Sequence, residues 1–139
     1  MIRRALTNDI EEINKLGIIF NNNFLNTYNI DLYLDNENYI VLVHEEENIN
    51  AFLIVYKNID YFELEAIVVD PQYRNRRIAY SLLEFFMYNY TQKNDVILLE
   101  VAENNIPALN LYKKCNFEII STRKKYYNNI DAYVMKKVI

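Results

Sequence analysis

Glycine occurs once in this 139-residue chain and proline twice, so motifs that other proteins build on glycine are expected to be altered here without loss of the fold. One cysteine, Cys115, excludes an internal disulfide, and with a single histidine, His44, the chain offers no soft-metal ligand set, so no metal is expected. No run approaches the roughly 20 apolar residues that span a bilayer. The start, Met1-Ile2-Arg3-Arg4, lacks the apolar core of a signal peptide, which makes the cytoplasm the expected location and a membrane partner unexpected. A net charge of −4 gives no broad reason to bind nucleic acid directly, although Arg74, Arg76 and Arg77 concentrate positive charge in one short segment.

What is present is a globular composition: 52% of residues are hydrophobic and 24% charged, enough for one core and one domain over residues 1–139. Ile2 to Ala5 reads as a short strand. Thr7-Asn8-Asp9 offers N-cap oxygens to a helix that carries Ile10, Ile13, Leu16 and Phe20 on one face. A short second helix is expected around Asp31 to Leu34. Tyr39 to His44, Ala51 to Tyr56 and Tyr61 to Val69 are β-rich runs separated by polar turns, the pattern of an antiparallel meander. Pro71 stops the third of them. A helix follows with Ile78, Leu82, Leu83, Phe85, Phe86 and Tyr90 at helical spacing, then a strand at Val96 to Val101, a helix at Pro107 to Lys114, and strands at Phe117 to Ser121 and Asp131 to Val138. That order implies an α+β fold with a mixed, mostly antiparallel central sheet and helices on both faces.

The segment from Ala66 to Leu83 places a strand, a turn with three arginines and an amphipathic helix in immediate succession. A helix N-terminus presents unpaired N–H groups and partial positive charge, so such a turn can cradle a phosphate. Basic residues at that end oppose the helix dipole, and an anionic ligand would give them a reason to be there; the residues alone leave open that they merely solvate the helix start. In Leu98-Leu99-Glu100-Val101, a carboxylate inside an apolar strand suits a base by its surroundings, while an outward-facing residue on a half-exposed strand is the commoner reading from the residues alone. Tyr112 reads either as an acid or as a ring packed on the sheet. Asn105 reads as the N-cap of the helix that Pro107 begins. Cys115 reads as packing and His44 as structural.

Arg74-Asn75-Arg76-Arg77-Ile78-Ala79 resembles the Gln/Arg-x-x-Gly-x-Gly/Ala turn of the GNAT N-acetyltransferases, with Arg77 where that family has glycine. Leu99-Glu100-Val101 through Asn105, Ala108 and Leu111-Tyr112 to Asn116-Phe117 resembles its Leu-Glu-Val-x-x-x-Asn-x-x-Ala-x-x-Leu-Tyr-x-x-x-Gly-Phe stretch. Asn116 stands in for glycine at a helix end, where asparagine is the next most tolerant residue. The likeness covers Tyr61 to Met135. It is nearest to the ribosomal-protein S18 alanine N-acetyltransferase (RimI-like) group, whose Arg-Arg-x-Tyr-Tyr run is similar to Arg123-Lys124-Lys125-Tyr126-Tyr127.

The resemblance implies a GNAT fold and direct acetyl transfer from acetyl-CoA to a protein N-terminal α-amine, with Glu100 as base and Tyr112 as acid. It also implies pantetheine on the backbone of Ile67, Val68 and Val69, phosphates on the turn of Arg74, Asn75, Arg76, Arg77, Ile78, Ala79 and Tyr80, and Asn105 as a further cofactor contact. The acceptor it implies is a protein N-terminus, a ribosomal protein tail in particular, served by a monomer or weak homodimer. Two other readings stand beside it: a lysine or small-molecule amine as acceptor, with Glu11 and Glu12 on the first helix available to cations, and a silent module that binds acyl-CoA or a protein partner, to which Arg77 would point.

Overall fold

The computed structural model describes residues 1–127 and 129–139, with the side chains of Tyr126 and Tyr127 outside the described set. Seven strands, β1 (Ile2–Arg4), β2 (Tyr39–Glu45), β3 (Ile49–Lys57), β4 (Phe62–Val69), β5 (Val96–Ala102), β6 (Glu118–Tyr127) and β7 (Ile130–Val138), form one sheet in the order β1-β2-β3-β4-β5-β7-β6. All neighbours pair antiparallel except β4 and β5, which run parallel. Five helices are interleaved: α1 (Ile10–Phe20), α2 (Phe24–Thr27), α3 (Ile30–Leu34), α4 (Ile78–Tyr90) and α5 (Ile106–Lys114). The expected α+β architecture is observed, and so is the element order except that two short helices, not one, precede β2.

Strand alternation sends side chains to two cores. On one face Leu42, Leu53, Leu64, Ile97, Leu99 and Val101 meet Leu82, Leu83 and Phe86 of α4 and Leu109 and Tyr112 of α5. On the other, Val41, Val43, Phe52, Ile54, Ala66 and Val68 meet Ile13 and Leu16 of α1, Phe24 of α2 and Ile30 of α3. The one glycine, Gly17, lies where α1 crosses α2, and a Cβ there would run into the Phe24 ring. Close packing, not backbone freedom, explains it.

Three local readings needed correction. Asp9 does not cap α1 with its side chain; its carboxylate accepts from the Leu6 amide at 2.7 Å and from both terminal nitrogens of Arg3 at 2.7 and 3.0 Å. The bidentate arginine outcompetes the helix amides for it. The segment before β2 forms two short helices, α2 and α3, the second capped by Asn29 Oδ1 accepting from the Leu32 amide at 3.3 Å. Finally, β6 continues from Ser121 to Tyr127 because β7 returns beside it, and the sheet ladder carries a polar stretch that local propensity leaves undecided.

The Asp9 contacts make a pH prediction. Hydrogen bonds from Arg3 hold the Asp9 carboxyl below the usual carboxylate range, against the opposing effect of burial. A depressed folded-state pKa contributes stability above the unfolded value of roughly 3.9 and loses it as pH falls through the folded one. Thermal melts at neutral and strongly acid pH should therefore show Asp9→Asn destabilised by about 1–3 kcal/mol at pH 7, with the gap to wild type closing in acid.

Candidate active site at the parting of two strands

The site begins with a defect in pairing. β4 and β5 are in register only from Phe62–Ile97 to Leu64–Leu99, yet β4 continues to Val69 and β5 to Ala102. At the same point β4 carries a bulge: Ile54 pairs Ala66 and Val55 pairs Leu64, which leaves Glu65 as the extra residue. A bulge bends its strand and raises its twist. The two parallel strands diverge beyond it, and each delivers a helix, α4 after β4 and α5 after β5.

Between these helices lies a cleft of about 570 Å³. Ile67, Val68 and Val69 line one wall, with Arg74, Asn75, Arg77, Ile78, Ala79 and Tyr80 of the turn, while Asn105, Ala108, Leu111 and Lys114 line the other. The strand, turn and loop residues expected from the sequence therefore converge on one cleft. Arg76 is placed differently: its guanidinium carbon lies 5.0 Å from the Tyr73 ring centroid, and it does not line the cleft. Asn105 serves as the helix cap and a cleft residue together, its Oδ1 accepting from the Ala108 amide at 3.3 Å.

The turn explains itself through its backbone. Asp70 Oδ1 accepts from the Gln72 amide at 3.0 Å, and a single helical turn at Pro71–Tyr73 reverses the chain after β4. Asn75 (φ 64°) and Arg77 (φ 62°) are both left-handed. The Ser81 amide donates to Arg77 O at 3.0 Å, so the amides of Ile78, Ala79 and Tyr80, all residues that line the cleft, precede the first helical hydrogen bond. These groups fit a phosphate: they are donors, they sit at the positive end of the 13-residue α4, and arginine charge surrounds them. Glycine usually fills a position such as 77, where a side chain is strained by roughly 1–2 kcal/mol. Arg77→Gly is accordingly expected to raise the melting temperature, by a few degrees for a change of about 1 kcal/mol.

The two residues expected to do chemistry lie on opposite faces of β5. Ile97, Leu99 and Val101 enter the core under α4 and α5, so alternation turns Glu100 to the other face. There its carboxylate oxygens meet Arg123 Nη1 of β6 at 3.1 and 3.4 Å, reached across β7. Tyr112 is buried beneath α5, with its ring 5.7 Å from that of Phe117. Burial, and then the nearby Cys115, push its phenol well above its ordinary pKa, so it stays protonated. Neither side chain is on the cleft wall. Cys115 is buried, as its packing role requires, and burial also raises its thiol. His44 Nδ1 lies 2.7 Å from Asn50 Oδ1 at the far side of the sheet.

Sequence reasoning missed Phe20, Tyr73, Pro107, Ala108, Asn110, Leu111 and Lys114 as cleft residues. The α5 residues were findable, since Pro107, Leu111 and Lys114 recur at helical spacing on the face beside the core residues Leu109 and Tyr112. Phe20, at the end of α1, had no such signal. Glu65 was also missed; burial first, and the neighbouring Glu63 second, push its carboxyl up to about 7.

No helix among the described residues is long and apolar enough to cross a membrane. Comparison with known proteins places the arrangement. The model of the acetyltransferase (GNAT) family matches residues 9–117. Among curated relatives, an N-alpha-acetyltransferase of Saccharolobus solfataricus is 42% identical over 77 residues, covering 52% of this chain and 45% of the relative. The N-alpha-acetyltransferase RimI of Mycobacterium tuberculosis is 34% identical over 82 residues, covering 55% and 48%. The chain thus spans about half the length of the curated relatives it matches. The crystal structure of the ribosomal-protein-S18-alanine N-acetyltransferase from Escherichia coli shares the fold over 100% of this chain and 93% of that one, with a TM-score of 0.82 at 22% identity. A crystal structure from Bacillus anthracis, in complex with acetyl coenzyme A, matches 78% of this chain and 67% of its own, with a TM-score of 0.68 at 23% identity. With its parted parallel strands, its phosphate-type turn and a family match over most of its length, the chain belongs to the GNAT acetyltransferase family.

Proposed function

We propose that this protein transfers the acetyl group of acetyl-CoA to the α-amine of a protein N-terminus, as the names of its N-alpha-acetyltransferase relatives suggest. The observation that carries the reading is a single cleft that joins the turn before α4 to Ile67, Val68 and Val69, the part of β4 beyond its pairing with β5. Glu100 and Tyr112 lie off the cleft wall, on opposite faces of the neighbouring β5. The turn of Arg74 to Tyr80, with Asn105 opposite, would hold the pyrophosphate, and the backbone of β4 the pantetheine amides. Glu100 takes a proton from the attacking amine, directly or through water, as the N–C bond forms. Tyr112 gives its proton to the sulfur as the C–S bond breaks. The products are the N-acetylated acceptor and CoA. A ribosomal protein tail as the acceptor and a cytoplasmic setting belong to the same proposal.

A second reading, a small cationic amine as acceptor, draws support from Glu63 and Glu65. Phe62 and Leu64 enter the core under α4 and α5, so Glu63 shares the face of Glu100. With the Glu65 carboxyl titrating near 7, attraction for a cation would strengthen as pH rises through neutrality.

The test is calorimetric binding of acetyl-CoA followed by CoA-thiol release with an alanine-leading peptide, the same peptide with a blocked N-terminus and an internal lysine, and spermine. Release with the free N-terminus alone supports the proposal; release with spermine alone moves the acceptor to small amines. Absence of acetyl-CoA binding removes both readings.

A further inference from the structure

The cleft has two charged side chains whose position the turn amides do not explain. The Arg77 guanidinium carbon lies 5.0 Å from the centroid of the Tyr80 ring, and Lys114 Nζ lies 5.5 Å from the same centroid. Arg77 comes from the turn before α4 and Lys114 from the last turn of α5, so one ring joins cations from both walls. All three residues line the cleft. Among the described residues neither cation has a carboxylate within ion-pair distance; Glu84 is close enough to raise the Tyr80 phenol, but no ion pair forms with it. Two like charges within a Debye length repel, and Arg77 is held at a left-handed position that also opposes the α4 dipole. A doubly charged anion between the walls would relieve both. A phosphomonoester, carrying about −1.5 to −2 at neutral pH, is such a group, whereas each phosphate of a pyrophosphate diester carries only one charge.

Resting on the acetyl-CoA reading above, we infer that Arg77 and Lys114, joined by Tyr80, form a clamp for the 3′-phosphate of the CoA nucleotide, separate from the amides that face its pyrophosphate. The residue that departs from the family's glycine thereby gains a binding role. Because the clamp draws on both helices, it also ties the α4 wall to the α5 wall when the nucleotide is bound.

The experiment compares acetyl-CoA with acetyl-3′-dephospho-CoA by calorimetry, in the wild type and in Lys114→Gln, Arg77→Gly and the double variant, with melting curves as the check on folding. The wild type should prefer the 3′-phosphorylated ligand by about tenfold or more. Each variant should lose about that factor on acetyl-CoA alone, so that the two ligands converge. Equal losses on both ligands would assign the cations to the pyrophosphate and overturn the inference, as would a wild type that binds both ligands equally well. Binding of neither ligand by the wild type would overturn the acetyl-CoA reading itself, and the clamp with it.

Discussion

Glu100→Gln is expected to lower turnover by about 10²–10⁴-fold while leaving acetyl-CoA affinity within a small factor, because general-base catalysis contributes on that scale and the side chain does not line the cleft. Glutamine retains an oxygen to accept from Arg123, so the link across β7 survives and only the capacity to take a proton is lost. The companion change, Tyr112→Phe, keeps the ring against Phe117 and removes the hydroxyl alone. If Tyr112 supplies the proton for the leaving thiolate, kcat falls and KM for acetyl-CoA stays put. Burial keeps the phenol protonated well past its ordinary range, so the alkaline limb of a kcat profile should not begin near the pKa of free tyrosine, roughly 10. An unchanged rate in both variants would remove the assignment of base and acid together.

The second large effect concerns the platform beneath the site. Phe86 is fully buried at the centre of α4, edge-on to Phe62 of β4 at 5.3 Å and stacked on Tyr90 at 6.1 Å. Phe86→Ala is expected to destabilise the fold by about 3–5 kcal/mol, the lost transfer free energy plus the cavity left behind. Denaturant melts would show it as a lower midpoint at unchanged slope. The effect should reach function as well. Phe62 lies at the first pair of the short β4–β5 ladder, and loosening α4 from that strand would displace the turn amides relative to β5.

The sequence made some of this legible and physics hid the rest. The face of Glu100 stayed open in the sequence and is settled by Leu99 and Val101 entering the core, whereas the strand, turn and helix around Arg74 were legible because Asp70, Pro71 and the apolar spacing of α4 are local signals. Arg123 as the partner of Glu100 was not, since the pair forms across an intervening strand that arrives later in the chain. Nor was the opening between β4 and β5: the bulge at Glu65 is set by how β3 pairs with β4, a non-local fact. The cap expected at Asp9 failed for the same reason, because Arg3 reaches it only once β1 is in place. Arg76 shows the limit of motif reading, where adjacent residues of one turn part ways, one onto Tyr73 and one into the cleft.

The left-handed positions have a consequence outside the folded structure. Asn75, Arg77, Asn94, Asn116, Lys125 and Asn129 all have positive φ, and the single glycine is not among such residues. Glycine would suit each of these positions in the native chain, but it would also give the unfolded chain more conformations to lose on folding. Each side chain at these turns therefore narrows the denatured ensemble by an amount worth roughly 0.4–1 kcal/mol where the conformation is tolerated. Asparagine, which fills four of the six positions, obtains that gain with the least native strain of any residue bearing a Cβ. Part of the stability of this fold thus resides in what its unfolded state is unable to do.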